Sequence, residues 1–482
     1  MRAARAGAVA LVVAALASGC GGEQSTPTVA TVVQDDAELL HRSPRQIAAT
    51  LDDMRSLGVD WVRVTAGWSA MAPAPRARRR PAFDASDPTK YPPYVWSRLD
   101  RVYTMARARG MKVAIDIAFW APRWAVARAA GRSERPRDSI DPSAYADFAE
   151  ATARRYPRAV AFTVWNEPNH PAFLLPQWER KDGAWRPASP HLYRAMVQAA
   201  LPRIKAAAPN ALVLIGATSS VGAKTGHDRG DRMAPLTFLR EMACVDEQLR
   251  PLRGPECDGF EPLPGDGWSH HPYSLELAPS QADPSSDNAR MGDLSRLTDL
   301  LHRLHAAGRT LKPLTLYLTE SGYQTNPPDP TWRVSLEDQA RWLIEGERVA
   351  RSQPQVRSVA QFLVRDLPVR DGHDLAARWG DYQSGLRFAD GRPKPARAAF
   401  ALGLVARRQG ADSVAFWGLV RPGDGRRDAR VTVREPDGSW RTLADQQTGD
   451  DGTFEVSVDI DPARTFRLES GRSTGPPVVG AR

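Results

Sequence analysis

Eight short, β-rich apolar runs alternate with longer amphipathic stretches between about residues 29 and 408. Alternation of this kind builds a parallel sheet covered by helices, and eight units are the number that closes a (β/α)8 barrel. The candidate strands are 29–33, 61–65, 112–117, 159–165, 212–217, 267–271, 314–319 and 359–364. The candidate helices, which carry apolar residues three and four apart, include 44–57, 96–109, 144–156, 191–208, 294–307 and 336–352.

After Asp412 the pattern changes to short alternating strands separated by Gly-rich and Asp-Gly turns. The predicted strands are 413–420, 429–434, 453–458 and 465–469. We therefore expect an α/β chain in which a (β/α)8 TIM barrel, residues 29–408, precedes a small β-sandwich, residues 412–470. The tail 471–482 is rich in Gly, Pro and Ser and is predicted to be disordered.

The first twenty residues have the pattern of a secretory signal. Arg2 and Arg5 precede the apolar stretch 6–16, which small residues and then Cys20 follow. This stretch is shorter than the roughly 20 residues of a membrane-spanning helix. Residues 16–20 resemble a bacterial lipobox, which implies that Cys20 is lipidated and anchors the mature chain outside the cytoplasm. Cleavage and release as a secreted protein is the alternative, and in either case 21–31 is predicted to be a polar tether.

Two cysteines follow this segment, Cys244 and Cys257. An export signal places them in an oxidising compartment, so we expect a disulfide that closes the loop 245–256. No histidine stands near them in the sequence, so the pattern does not favour zinc and predicts no structural metal.

The formal net charge of +9 raises the question of a nucleic-acid partner. The arginines are spread along the chain, and no basic motif is interleaved with aromatic residues that could stack on bases. The densest run, 76–80, lies between prolines and is typical of a solvated loop, with attraction to an anionic polymer or cell envelope as the alternative. We expect no nucleic-acid partner, membrane contact only through the N-terminal lipid, and a monomer.

Two glutamates follow predicted barrel strands. Glu167 ends the fourth strand in the sequence Asn-Glu-Pro, and Glu320 ends the seventh in Thr-Glu-Ser-Gly. The carboxyl ends of barrel strands face one pocket, so we expect the two carboxyl groups to lie close together. A pair about 5 to 5.5 Å apart can protonate a leaving glycosidic oxygen and attack the anomeric carbon, as a retaining glycosidase requires.

These two motifs resemble those of the large clan of retaining glycoside hydrolases that includes cellulases and the family 39 xylosidases and iduronidases. The resemblance covers the barrel, about residues 29–405. It implies that Glu167 is the general acid/base and Glu320 the nucleophile, that no cofactor is needed, and that the substrate is an oligosaccharide or polysaccharide. An acid must hold a proton near neutral pH, and we expect ionised Glu320 to raise the pKa of Glu167.

Four further residues are candidates for the same pocket. Asn166 could bond a sugar 2-hydroxyl, and His271 and Tyr273 lie two apart near the end of the sixth strand, so they face the same side. Their His-x-Tyr pattern is similar to that of family 39, where the tyrosine holds the nucleophile; core packing is the alternative. Arg63 lies within an apolar second strand and is expected to pair with Glu320 and keep it ionised, with a structural ion pair elsewhere as the alternative.

The remaining candidates are less constrained by the pattern. Asp116 on the third strand and His170 after the fourth could reach the pocket or serve the core. Several tryptophans follow strands, where flat rings could stack on sugars or simply pack. They are Trp68, Trp120, Trp124, Trp332 and Trp379.

The pattern as a whole predicts hydrolysis of a β-linked glycoside or polysaccharide through a covalent intermediate, which a sugar hydroxyl could also intercept in transglycosylation. The alternatives are an inactive carbohydrate-binding surface lipoprotein and a structural or adhesive role for the β-sandwich. Its Trp417 and Trp440 are spaced too far apart to indicate a shared sugar platform, and the domain could instead brace the barrel. Glucan, xylan, mannan and a bacterial exopolysaccharide all stay open as substrates. The eighth strand, 361–365, lacks the tryptophan of many cellulases, which disfavours cellulose.

Overall fold

The computed structural model describes residues 28–127 and 135–480. The predicted signal 1–20 with its Cys20, and the tether up to residue 27, lie outside the described residues. Within the described ranges, no helix has both the length and the apolar character needed to cross a membrane.

The helices, in chain order, cover most of the segments predicted to be helical. They are α1 (Asp36–Leu40), α2 (Pro44–Ser56), α3 (Trp68–Met71), α4 (Pro93–Ala108), α5 (Pro142–Arg155), α6 (Ser189–Ala207), α7 (Pro235–Met242), α8 (Leu294–Ala306), α9 (Leu336–Arg351), α10 (Leu375–Arg378) and α11 (Pro395–Ala401). Short 3-10 turns occur at Pro88–Lys90, Arg123–Ala125 and Met291–Asp293.

The strands divide into a first group that belongs to the barrel and its loops and a second group after residue 401. The first group is β1 (Ala30–Gln34), β2 (Trp61–Gly67), β3 (Lys112–Ala118), β4 (Ala161–Val164), β5 (Trp178–Lys181), β6 (Ala184–Pro187), β7 (Leu212–Ser219), β8 (Gly267–His271), β9 (Thr315–Leu318) and β10 (Val356–Phe362). The second is β11 (Leu402–Arg408), β12 (Ser413–Val420), β13 (Asp428–Arg434), β14 (Trp440–Gln447), β15 (Thr453–Asp459), β16 (Thr465–Ser470), β17 (Ser473–Thr474) and β18 (Val478–Val479).

Eight parallel strands close a barrel in the order β1-β2-β3-β4-β7-β8-β9-β10, and β10 pairs back onto β1. All eight correspond to strands predicted from the sequence, so the (β/α)8 barrel is confirmed. The hairpin β5–β6 lies outside it, in the long connection between β4 and α6. Because every barrel strand runs the same way, the segments after their carboxyl ends share one face of the molecule.

Local signals explain where the helices begin and end. Ser43 caps α2 in a reciprocal capping box with Gln46, which satisfies two backbone donors that the first turn leaves free. Gly58 and Gly110 follow α2 and α4 with φ angles of +69° and +77°, a left-handed conformation that glycine adopts without steric cost and that ends a helix.

The C-terminal domain consists of two facing antiparallel sheets, β11-β12-β15 and β14-β13-β16-β17 with β18 on β16, as the sequence predicted. Two details of the prediction are wrong. The strand Leu402–Arg408 pairs with β12 and belongs to this sandwich, not to the barrel. The tail is also ordered up to residue 480, because β17 and β18 both pair with β16.

The barrel and the sandwich share part of their hydrophobic packing. Val405, Trp417 and Leu419 of the sandwich belong to the same buried cluster as the barrel core. At this junction Arg421 forms a buried ion pair with Glu347 of α9, 2.9 Å between Nη2 and Oε1. The sandwich is thus packed against the barrel.

Candidate active site

Two helix tyrosines hold the end of β4 in place. The hydroxyl of Tyr145, on α5, accepts a hydrogen bond from the Trp165 N–H at 2.9 Å. The hydroxyl of Tyr193, on α6, donates to the Val164 carbonyl at 2.7 Å and accepts from the Gly216 N–H on β7. These bonds satisfy backbone groups just where the β4 ladder ends, so the residues after the strand start from a fixed position.

The backbone of Glu167 departs from the strand conformation. Its φ is +38°, a left-handed value that costs a non-glycine residue about 1–2 kcal/mol. Its N–H donates to the Ala217 carbonyl at 2.9 Å, and Asn169 bonds the Ser219 and Met233 carbonyls across the next loop. The bonds to β7 and its loop hold this strained backbone conformation, which points the carboxyl group into the mouth of the barrel.

Glu320, after β9, is held by two donors. Arg63 Nη1 donates to Oε1 at 2.6 Å, and the Tyr273 hydroxyl donates to Oε2 at 3.2 Å. Both contacts were expected from the sequence. Each oxygen therefore has a fixed partner, which orients the carboxylate before any ligand arrives.

Arg63 is fully buried and connects several strands beneath the site. It bonds the Gln34 side chain, approaches the Asn166 Oδ1 at 3.5 Å, and lies 3.1 Å from the Asp116 carboxylate. Burial raises the pKa of Asp116 to about 7, against the opposing charge of Arg63. Asp116 therefore supports Arg63 from below and does not line the pocket.

His271 contacts both glutamates. Its Nδ1 lies 3.0 Å from Glu167 Oε1 and 3.7 Å from Glu320 Oε2. Because both oxygens contact one nitrogen, their separation cannot exceed the sum of these distances, about 6.7 Å. The two carboxyl groups therefore lie close together on either side of His271.

The pKa of Glu167 differs from the sequence expectation. Burial raises this pKa, but the hydrogen bond and charge of His271, with smaller effects of His170 and Arg232, outweigh it and leave the pKa below its usual value. The expected raised pKa is therefore wrong for the ligand-free site. Sequence reasoning considered the charge of Glu320 alone and missed the contact that His271 makes from β8.

A cleft of about 370 Å³ opens above these groups, within the size range of small-ligand pockets. Asn166, Glu167, Tyr273 and Glu320 line it, and so do His170 and Trp332, whose placement the sequence left open. The other walls come from residues that the sequence analysis did not single out: Gln34, Asp36, Phe119, Phe173, Arg232, Leu275, Phe362 and Tyr382 among them.

The tryptophans mostly serve other purposes. Trp68 is fully buried and stacks on Phe148, so its prediction as a sugar contact is wrong. Trp124 donates from its indole to the Pro73 carbonyl in the same region. Trp120 and Trp379 do not line the cleft, which corrects their placement at the substrate.

Some of the missed residues had a recognisable signal. Asp36 and Gln34 stand at the carboxyl end of β1, where the same strand-end argument that found Glu167 applies. Tyr382 and Arg232 lie in long connections many residues beyond a strand, and no local pattern places them over the pocket.

The predicted disulfide between Cys244 and Cys257 is confirmed. The argument against a metal was wrong on one point, because His191 comes within 4.8 Å of both sulfur atoms in the folded chain. Both sulfurs are joined to each other, so neither is a free thiolate that could bind a metal. This cluster lies apart from the cleft.

The sequence matches one family model. The cellulase model, glycosyl hydrolase family 5, aligns with residues 26–291, which include β4 and its Asn-Glu-Pro motif. No curated protein matches the chain.

Solved structures of several glycoside hydrolases align with the chain. A family 39 glycoside hydrolase from Bacteroides cellulosilyticus WH2 has a TM-score of 0.53 at 14% identity, over 90% of this chain and 81% of its own. A GH5_18 structure from Streptomyces cattleya with GlcNAc gives 0.48 at 17% identity, over 78% and 79%. The exo-beta-1,4-mannosidase Op5Man5 from Opitutaceae bacterium strain TAV5 gives 0.44 at 16% identity, over 78% and 60%.

Proposed function

The chain belongs to the cellulase family, glycosyl hydrolase family 5, and is a glycosidase; from this premise we propose that it hydrolyses a β-linked glycoside with retention of the anomeric configuration. Glu320 is the nucleophile and Glu167 the general acid/base. The substrate is an oligosaccharide or polysaccharide outside the cytoplasm.

The contact of His271 with both carboxyl groups carries the proposal. A retaining enzyme needs its carboxyl groups about 5 to 5.5 Å apart, whereas an inverting enzyme places them about 6.5 to 9.5 Å apart to admit a water. The oxygens nearest His271 are at most about 6.7 Å apart, a bound that includes the whole retaining range and only the lower edge of the inverting range. The fixed partners of Glu320 hold its carboxylate in one orientation, as an attacking group requires.

The reaction proceeds in two displacements. A Glu320 oxygen bonds to the anomeric carbon while the glycosidic C–O bond breaks and the leaving oxygen takes the proton of Glu167. A water then attacks the same carbon, gives its proton to Glu167, and the ester bond to Glu320 breaks. Each step inverts the carbon, so the product keeps the β configuration and both glutamates return to their starting states.

Glu167 gives up its proton in the first step and regains one in the second. Its Oε1 lies one hydrogen bond from His271 Nδ1, 3.0 Å. After the first step the ester of Glu320 is neutral and no longer repels negative charge, so Glu167 is stable as a carboxylate, and this carboxylate accepts the proton of the attacking water.

Aromatic rings around the cleft supply the sugar contacts in this proposal. Phe362 is the last residue of the eighth barrel strand, β10. The ring of Tyr382 packs edge-on against the ring of Phe362, with 5.1 Å between ring centres. Asn166 lines the cleft beside Glu167 and is placed to bond a 2-hydroxyl. Without an eighth-strand tryptophan, the platform differs from that of many cellulases.

Export and anchoring form the second part of the proposal. The basic start, the apolar stretch 6–16 and the lipobox-like segment ending in Cys20 support lipidation of Cys20 after cleavage. The disulfide between Cys244 and Cys257 is consistent with an oxidising compartment.

The test is hydrolysis of a panel of aryl β-glycosides and polysaccharides by the form lacking residues 1–20, with Glu167→Gln and Glu320→Gln alongside. We expect the panel to identify one sugar, both variants to lose turnover, and nuclear magnetic resonance to show the β anomer as first product. An α anomer would contradict retention. No turnover on any substrate, with sugar binding intact and unaffected by Glu320→Gln, would support a binding lipoprotein instead.

A further inference from the structure

Arg232 lines the cleft beside Glu167 and His170. It comes from the loop between β7 and α7 and is partly buried. Among the residues that the structure describes, its guanidinium has neither a hydrogen-bond acceptor nor a carboxylate partner. A guanidinium that faces a cleft without a protein partner can bind an anionic acceptor that a ligand supplies.

The neighbouring arginines differ in this respect. Arg229, on the same loop, pairs with Asp138 at 2.7 Å. Arg137 donates to the Pro171 carbonyl at 2.6 Å, and Arg240 pairs with the buried carboxylate of Asp287. These neighbouring arginines therefore have acceptors within the protein. Arg232, which faces the cleft, has none among the residues that the structure describes.

Arg232 lies on the Glu167 side of the cleft, because the backbone of the next residue, Met233, is hydrogen-bonded to Asn169 at 3.0 and 2.8 Å, two residues after Glu167. Burial lowers the pKa of His170 to about 4, and the charge of Arg232 adds to this lowering. The same charge adds to the effects of His271 and His170 on the pKa of Glu167. Glu167 protonates the leaving oxygen in the proposed mechanism, so Arg232 stands beside the leaving group.

We infer that Arg232 binds an anionic group on the leaving-group side of the scissile bond, so that the substrate is an acidic glycoside. The inference rests on the proposed function. A carboxylate, sulfate or phosphate would each fit, because the planar guanidinium offers two parallel N–H donors to any of them.

An anion at Arg232 would also assist the chemistry. It neutralises a positive charge that helps to keep the pKa of Glu167 low, so a bound acidic substrate favours the protonated form of Glu167. Substrate binding and protonation of Glu167 are then linked through the side chain of Arg232.

The test uses two substrates whose leaving groups carry different charges: the 4-carboxyphenyl β-glycoside of the sugar identified by the panel, and its neutral methyl ester. The measured quantity is the ratio of kcat/KM for the acid to kcat/KM for the ester. We expect a ratio of about ten or more in the wild type, because a charge-assisted bond gives at least a tenfold effect.

Variants at Arg232 and at the control position Arg229 show whether Arg232 causes this preference. Arg232→Gln is expected to bring the ratio near one, whereas Arg229→Gln, the matched control with an ion pair outside the cleft, keeps the wild-type ratio. Arg232→Lys retains the charge and should keep part of the preference. Should Arg232→Gln lose all turnover, the affinities for acid and ester in the Glu320→Gln background, with and without Arg232→Gln, give the same comparison by calorimetry.

The failures of the two proposals are distinguishable. A wild-type ratio near one, or a preference that survives in Arg232→Gln, overturns the inference and leaves the glycosidase intact. Absence of cleavage of both substrates by the wild type, together with no cleavage of the panel, overturns the proposed function. A preference for the acid that disappears in Arg232→Gln alone supports both.

Discussion

His271 Nδ1 lies 3.0 Å from the Oε1 atom of Glu167, so the proposed acid/base is bonded to an imidazole before substrate arrives. The hydrogen bond and charge of His271 are the main effects that overcome burial and lower the pKa of Glu167. The position of β8 therefore governs the protonation of a group at the end of β4.

This relationship predicts a pH effect for His271→Asn. Glu167 must be protonated to act as an acid, so kcat/KM falls as pH rises through its pKa, and a lowered pKa places that fall at lower pH. Removing the imidazole removes the lowering. We expect the alkaline limb of the kcat/KM profile to move to higher pH in His271→Asn, even though the maximal rate decreases.

The control is His302→Asn, which changes an exposed histidine of α8 and should leave the profile unchanged. An alkaline limb that stays in place or moves to lower pH in His271→Asn would show that Glu167 titrates independently of His271.

The two glutamates are predicted to respond differently to azide after truncation to alanine. Glu167→Ala should lose about 10²- to 10⁴-fold in kcat with poor leaving groups and much less with 2,4-dinitrophenyl glycosides, because a good leaving group needs no acid. Azide in the vacated space should attack the ester on Glu320 and give a β-glycosyl azide. In Glu320→Ala, azide should attack directly and give the α-glycosyl azide.

The anomeric configuration of the azide products, measured by nuclear magnetic resonance, distinguishes the roles. The opposite pair of products would exchange the assignments of Glu167 and Glu320, and rescue of neither variant would argue against double displacement.

Anchoring through Cys20 predicts where the protein is found. In a bacterial host, the full chain should partition into the detergent phase of a Triton X-114 extract and incorporate labelled palmitate. Cys20→Ala should abolish the label and move the protein out of that phase, because the lipid is the expected membrane attachment. An unlabelled wild-type chain in the medium would favour simple cleavage and release.

The sequence predicted the barrel well because its signal is local and repeated. Each strand carries its own apolar run, and the closed order of strands then places the residues after Val164 and Leu318 on one face. The pair Glu167 and Glu320 could therefore be located from strand ends alone. Arg63 could be found because a charge within an apolar strand requires a partner.

What could not be predicted depends on long connections and on packing. Tyr382 and Arg232 reach the cleft from loops whose paths no periodicity determines. Trp68 follows β2 directly, a position typical of sugar-binding residues, yet its ring stacks on Phe148 and is fully buried. His191 is far from Cys244 in sequence and adjacent in space. Both the distance of a residue from a strand end and the packing of its side chain thus limited the accuracy of its placement.

The junction of the two domains predicts a stability effect. Arg421 and Glu347 are both buried, and burial alone would raise the pKa of Glu347, but the charges of Arg421 and Arg351 outweigh it and lower the pKa. This lowered pKa means that the pair stabilises the fold above the usual carboxyl range and that its contribution is lost as pH falls through the lowered pKa. Arg421→Met should reduce the free energy of unfolding at pH 7 by roughly 3–5 kcal/mol.

Urea unfolding at pH 7 measures this effect. The control Arg426→Met removes an exposed partner of Asp450 and should change the free energy by about 0–1 kcal/mol. The double variant Arg421→Met with Glu347→Gln should recover part of the loss, since the buried carboxylate that lost Arg421 is then neutral. Equal effects of Arg421→Met and Arg426→Met would mean that the buried pair does not hold the domains together.

Tyr382 is predicted to form part of the sugar platform. Its side chain lines the cleft although the residue is 44% exposed, and its ring meets Phe362 edge-on at the end of the eighth barrel strand. Exposed aromatic rings at a binding cleft can stack on the apolar face of a sugar. Tyr382→Ala should raise KM about 10-fold with a smaller change in kcat, because stacking acts on bound substrate and transition state alike.

Tyr382→Phe keeps the ring and should retain the wild-type KM, which separates stacking from any role of the hydroxyl. Tyr94→Ala provides the matched control, because Tyr94 is 76% exposed on α4 and does not line the cleft. If Tyr382→Ala instead lowers kcat at unchanged KM, the ring acts in the transition state and not as a platform. If Tyr382→Phe also raises KM, the hydroxyl of Tyr382 is the group that binds the sugar.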